Sequence, residues 1–157
     1  MKIWPVCKMI LFVVCLFLIT PAPLCAEKMT DNWRLTGYTK YRDAVFADIS
    51  QLASPTSDTK SIWVKIAPAN KSQYFRMIND YLQTVNKSDK GFRSIEILCE
   101  INCPSHLIRF TRFVYFDQTG SAFHEAYETN LAWLLILQGN IWYNVKKEAC
   151  TERKPRV

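Results

Sequence analysis

Phe92–Asp117 reads FRSIEILCEINC, then Pro104-Ser105, then HLIRFTRFVYFD, and this stretch decides the fold. In the first half Ile95, Ile97, Cys99, Ile101 and Cys103 alternate with Ser94, Glu96, Glu100 and Asn102. Leu98 is the one apolar residue on the polar side. A period of two predicts a strand with one buried and one solvated face. In the second half the same period puts Ile108, Phe110, Val114 and Phe116 on one side and Leu107, Phe113 and Tyr115 on the other. Arg109 and Arg112 interrupt them. A strand that is apolar on both sides belongs in the middle of a sheet. The Pro-Ser break joins the two halves as an antiparallel hairpin.

Upstream of the hairpin, Trp33–Thr39 reads as a first strand with Gly37 in or near a bulge, and Ala44–Ile49 as a second. Ser54–Lys60 is turn-forming, and Ser61–Ala67 alternates cleanly until Pro68 ends it. The period then changes. Tyr74, Ile78, Tyr81 and Val85 recur at helical spacing across Ser72–Val85, with Phe75 and Leu82 alongside. Downstream, Asp117–Gly120 is a tight turn and Ser121–Thr129 a strand nearer an edge. Residues 130–138 are apolar without a decisive period. Asn140 caps a last helix over Ile141–Cys150. The expected fold is α+β: an antiparallel sheet of about six strands with a mid-chain helix and a C-terminal helix.

The N-terminus has the three-part layout of a secretory signal peptide: Lys2 and Lys8, an apolar run over Met9–Ile19, and a proline-broken exit ending on Ala26. Residues 1–26 are expected to be removed, leaving 27–157 as a single domain with its core in 32–150. The apolar run is shorter than the roughly 20 residues of a membrane span. Cys25 follows Pro23-Leu24 and Cys15 follows two valines, so neither lies in a lipidation site. Loss of two lysines and no acid lowers the net charge from +6 to +4. The remaining bases are scattered among acids, unlike the basic stripe of a nucleic-acid binder.

Cys99, Cys103 and Cys150 outlast the signal. Export favours one disulfide among them. Along one strand Cys99 and Cys103 are about 13 Å apart, beyond the roughly 7 Å that a disulfide spans. Cys150 therefore pairs with one or the other.

Trp33, the Asp48-Ile49 strand, IWVKI at 62–66, EINC at 100–103, YFD before Gly120, Trp133 and the helix ending in Cys150 form an ordered set. Together they resemble the surface-adhesin protein E family of Gram-negative bacteria. The resemblance implies a six-stranded antiparallel sheet, a Cys103–Cys150 bridge that docks the last helix, a homodimer, and contact with host or matrix proteins. Cys99, the missing lipidation site and Leu137-Gln138-Gly139-Asn140 in place of a Pro-Gly-Ser helix start depart from the family pattern.

The sequence offers little chemistry. His106 follows Cys103 by three residues, a spacing unlike the common zinc motifs. His124 and Glu125 fall on opposite strand faces. Glu96 and Glu100 lie about 13 Å apart along a strand, too wide for a glycosidase pair, and read as solvated charges. No nucleophile elbow, phosphate loop or cofactor motif is present. The expected role is therefore binding protein partners, without enzymatic activity or cofactor, at the surface or in the periplasm. Aromatics dominate cores, and packing accounts for most of them here. Trp63 with Lys65, and Trp142 with Tyr143, lie off the main apolar stripes and are the candidates for a contact surface.

Overall fold

The hairpin is the centre of the sheet. In the computed structural model, which describes residues 32–151, β4 (Phe92–Asn102) and β5 (Leu107–Asp117) pair antiparallel along their length. On one side lie β3 (Thr59–Ala67), β2 (Ala44–Ala53) and β1 (Trp33–Tyr38), and on the other β6 (Ala122–Tyr127). A two-residue β7 (Leu134–Leu135) pairs with β5 at Leu107 and Ile108. All pairings are antiparallel. Residues 1–26, read from the sequence as a signal peptide, lie outside the described residues. Among the described residues no helix is long and apolar enough to cross a membrane.

Both helices cover one face. On that face β2 to β5 contribute cross-strand rows such as Val45, Ile66, Ile95 and Tyr115, then Ala47, Val64, Ile97 and Phe113. Helix α1 (Gln73–Thr84) stacks Tyr81 on Tyr115 at 5.6 Å and sets Phe75 against Phe92 at 6.0 Å. Helix α2 (Ile141–Cys150) sets Trp142 against Phe110 at 4.9 Å and buries Val145 and Ala149. Each helix starts where its sequence says. Ser72 Oγ accepts from the Phe75 N–H at 3.0 Å, and Asn140 Oδ1 accepts from the Trp142 N–H at 3.3 Å.

Ten residues with two fully buried side chains make α2 marginal alone. The Cys103–Cys150 disulfide, with a Cα separation of 5.7 Å, holds it to the hairpin turn. Cys99 lies buried beneath the helices, and burial pushes its thiol pKa far up, so it is a packed apolar side chain. Gly37 stands in the bulge of β1, whose register skips between Leu35 and Gly37. Its φ of +148° suits glycine, and an added Cβ would meet Ile141 Cδ1 at 3.0 Å.

Three expectations need correction. Strands β2 and β3 run further than their apolar cores suggested, to Ala53 and from Thr59. The even positions of β4 are not uniformly wet, because Ser94 and Glu96 are buried. The faces of β5 are also redistributed. Leu98 pairs with Arg112 and Cys99 with Phe110, so Thr111 is an extra residue. Its hydroxyl donates to the Leu98 carbonyl at 3.1 Å. This bulge brings Phe110 and Phe113 to the helix side and turns Arg109, Arg112, Val114 and Phe116 to the other.

Candidate functional site

The helix-free face of the sheet carries the most concentrated chemistry. Register alone sets its membership. Trp33, Asp48, Trp63, Leu98, Arg112 and Tyr127 form one row across β1 to β6. Leu35, Phe46, Lys65, Glu96, Val114 and Glu125 form the next. Glu100 and Arg109 face each other one step further along β4 and β5.

Three cations on this face are each set between a carboxylate and one or two aromatic rings. Lys65 Nζ lies 3.3 Å from Glu96 Oε1, with the Trp33 and Phe116 ring centres at 5.3 and 5.9 Å. Arg109 Nε donates to Glu100 Oε2 at 2.7 Å, and its guanidinium lies 4.6 Å from the Trp133 ring. Arg112 Nε donates to Glu125 Oε1 at 2.6 Å, between the Trp63 and Tyr127 rings at 5.6 and 5.7 Å. Directly opposed or diagonal opposite charges, combined with a ring quadrupole, hold each long side chain flat on the sheet.

The pairs differ in environment. Glu96 has a side chain only 1% exposed, and its Oε2 has no hydrogen-bond partner. Burial raises its pKa, opposed by Lys65 and assisted by Asp48. Asp48 is also buried but satisfied, its Oδ1 accepting the Ser50 N–H at 2.9 Å and hydroxyl at 2.6 Å. Glu125, by contrast, lies toward solvent, and the Arg112 hydrogen bond holds its pKa below the usual carboxylate range. The Lys65 end is thus dry and fixed, and the Arg112 end is wet and available.

Trp63 and Lys65 belong to this face. Trp142 and Tyr143 lie on α2 across the sheet, where Trp142 packs on Phe110 and Lys147 sits over the Tyr143 ring at 5.6 Å. The structure therefore does not gather these four residues into one surface. Cys103 and Cys150 are joined, which removes the Cys103 sulfur from any grouping with Cys99 and His106. His124 turns to Tyr81, 3.2 Å from its hydroxyl, while Glu125 turns to Arg112. Among the described residues no group of three or more His, Cys, Asp or Glu is placed to hold a metal ion.

Sequence reading missed Arg109, Arg112, Tyr127 and Trp133. The available signal was two arginines interrupting an apolar central strand; what hid their common face was the extra residue between them. The other omission is the segment 131–137, left without a period, in which Leu134, Leu135 and Leu137 are more than half exposed.

No family model matches the sequence. No curated protein matches it either. Among solved structures, that of Haemophilus influenzae protein E is similar at 11% identity, covering 77% of this chain and 85% of that one, with a TM-score of 0.49.

Proposed function

We propose that this chain is an exported, non-enzymatic domain that binds protein partners through the helix-free face of its sheet. One observation carries the reading: the face is rich in tryptophan, tyrosine and arginine, yet its charges are balanced. These residue types dominate binding energy at protein interfaces. Lys65, Arg109 and Arg112 are matched by Glu96, Glu100 and Glu125, so the face is not built to attract an anionic polymer. Flat rings and pre-paired cations lose little side-chain entropy on docking. The disulfide suits an oxidising compartment.

The sequence resemblance to surface-adhesin protein E proteins points to host or matrix proteins as partners and to an adhesin-like role at the cell surface. A periplasmic partner is the second reading, favoured by Leu24 directly before Cys25 where lipidation needs a small residue.

Two measurements test the proposal. Protease treatment of intact cells should digest the protein if it is an adhesin; survival until the outer membrane is opened leaves the periplasmic reading. Solid-phase binding to matrix glycoproteins should fall at least about tenfold with Arg112→Gln or Tyr127→Ala, as for interface anchors, and hold with Lys147→Gln on the opposite face. Equal binding by all three variants would remove the helix-free face from the mechanism.

A further inference from the structure

The helix side of the sheet holds a cavity that the helix-free face does not use. In β5 the extra Thr111 turns Phe113 to the helix side, two positions from Tyr115. Helix α1 lays Tyr81 on Tyr115, with ring centres 5.6 Å apart. Opposite Phe113 the edge strand β6 supplies Ala126, whose methyl leaves room that a larger side chain would fill. The result is a cavity of about 240 Å³ lined by Tyr81, Phe113, Tyr115 and Ala126 together with Tyr127 and Glu128. Tyr115 is only 5% exposed, and Tyr81 and Phe113 are partly buried against the core, so packing fixes these walls.

Its electrostatics are one-sided. Aromatic rings present a negative face, and here the rings of Tyr81, Phe113 and Tyr115 are joined by a carboxylate. The Asn130 N–H donates to Glu128 Oε1 at 2.9 Å and holds that carboxylate in place. Glu96, Glu100, Glu125 and Glu148 each hold a lysine or arginine. Glu128, the remaining glutamate among the described residues, has no such partner there. The basic groups on the neighbouring strands are engaged elsewhere. Arg112 Nε donates to Glu125 at 2.6 Å, and His124 Nε2 lies 3.2 Å from the Tyr81 hydroxyl. Neither lines the cavity.

We propose that this cavity binds a small quaternary ammonium compound of the choline type. Ring faces gathered around a carboxylate suit such a cation, because its methyl groups pack on the rings while its charge meets their quadrupoles. Size limits the ligand. Sites for drug-sized molecules run to about 300–1,000 Å³, so a smaller cavity takes a compact cation. Charge limits it further. Among the described residues the lining offers no base to meet an anionic end, and a zwitterion such as glycine betaine would set its carboxylate near Glu128. The inference does not rest on the protein-binding reading. Tyr127 alone is shared with that face, where its ring is taken up by Arg112.

The test is a chemical-shift titration of the isotopically labelled protein, purified from expressing cells, with choline chloride against sodium chloride at equal ionic strength. The amide signals of Phe113 and Ala126 should move with choline alone, at a dissociation constant of about a millimolar. Glu128→Gln should weaken binding about threefold, the size of one exposed charge contact. Ala126→Leu fills the cavity and should weaken binding at least about tenfold. Glu128→Gln carries the test by itself if Ala126→Leu disturbs β6. The uncharged isostere of choline, with tert-butyl in place of trimethylammonium, should bind at least about tenfold more weakly than choline. Equal binding of the two would make the cavity an apolar crevice and the cation assignment wrong. Tighter binding of glycine betaine than of choline would overturn the role given to Glu128. The proposal also fails if choline leaves the Phe113 and Ala126 signals in place, or if the folded variants bind it like the parent.

Discussion

Glu96 is the residue at which the energetics of the helix-free face concentrate. Its carboxylate is buried with one oxygen unpartnered, and Lys65 offsets only part of that cost. Burial raises the folded-state pKa above 4.5, so the folded chain holds this proton more tightly than the unfolded one. The Glu96 contribution to stability is therefore fully present below pH 4.5 and is lost as pH rises through the raised folded value. Exposed acids such as Glu125, whose pKa is lowered, act in the opposite direction, so a single melting curve mixes the signs. Subtraction of a Glu96→Gln variant separates them. The melting temperature of the parent relative to the variant should climb as pH falls from neutral toward 4.5. A constant gap across that interval would mean that the pocket does not hold the proton. The sequence could not show this burial, because an alternating strand places Glu96 on the wet side. The aliphatic stem of Lys65 and the side chain of Val114 flank it on the neighbouring strands, and only the register puts them there.

Among the elements, α2 depends most on the rest of the chain. Two buried side chains and an asparagine cap do not sustain a ten-residue helix in water. Its attachments are the disulfide, the Arg34–Glu148 pair at 2.9 Å and the Asn144 amide donating to the Thr36 carbonyl at 3.3 Å. Closing the 47-residue separation constrains the unfolded chain by about 4 kcal/mol in the entropy model. Cys150→Ser should lower stability by roughly that amount, read as a large drop in melting temperature, and an unchanged midpoint would remove the bridge from the energetics. Gly37→Ala should cost about 1–3 kcal/mol, since it combines a strained φ with a close approach to Ile141. The melting midpoint again checks it, and a neutral outcome would mean that β1 and α2 move apart without penalty. These elements were legible because their signals are local: the cap at Asn140, the glycine in β1, the alternation of β4. The bulge in β5 was not. Thr111 looks like any other strand residue, and an insertion of one inside a strand apolar on both sides leaves the composition of each face plausible. The short β7 was hidden for a related reason: a two-residue strand has no period to read, and its pairing with Leu107 and Ile108 is a tertiary event.

On the scale of the whole molecule, charge separates the possible partners. The chain carries an excess of bases, which by itself would allow a nucleic-acid binder. The structure instead commits Lys65, Arg109 and Arg112 to Glu96, Glu100 and Glu125 on the helix-free face, the one proposed to meet a partner. A partner docking there meets rings and neutral pairs, and few counterions are released. Binding through phosphate contacts behaves differently, with six to ten contacts losing about 10³–10⁵ in affinity between roughly 50 and 200 mM salt. The affinity of this protein for a protein partner should therefore change by less than about threefold over that range, as expected where opposing charges are already paired and screening beyond about 10 Å has little left to remove. A titration of partner binding with salt from roughly 50 to 200 mM checks this. A partner affinity that collapses with salt would show that the arginines leave their carboxylates to bind, and the pre-paired face would then be a resting arrangement rather than the binding one.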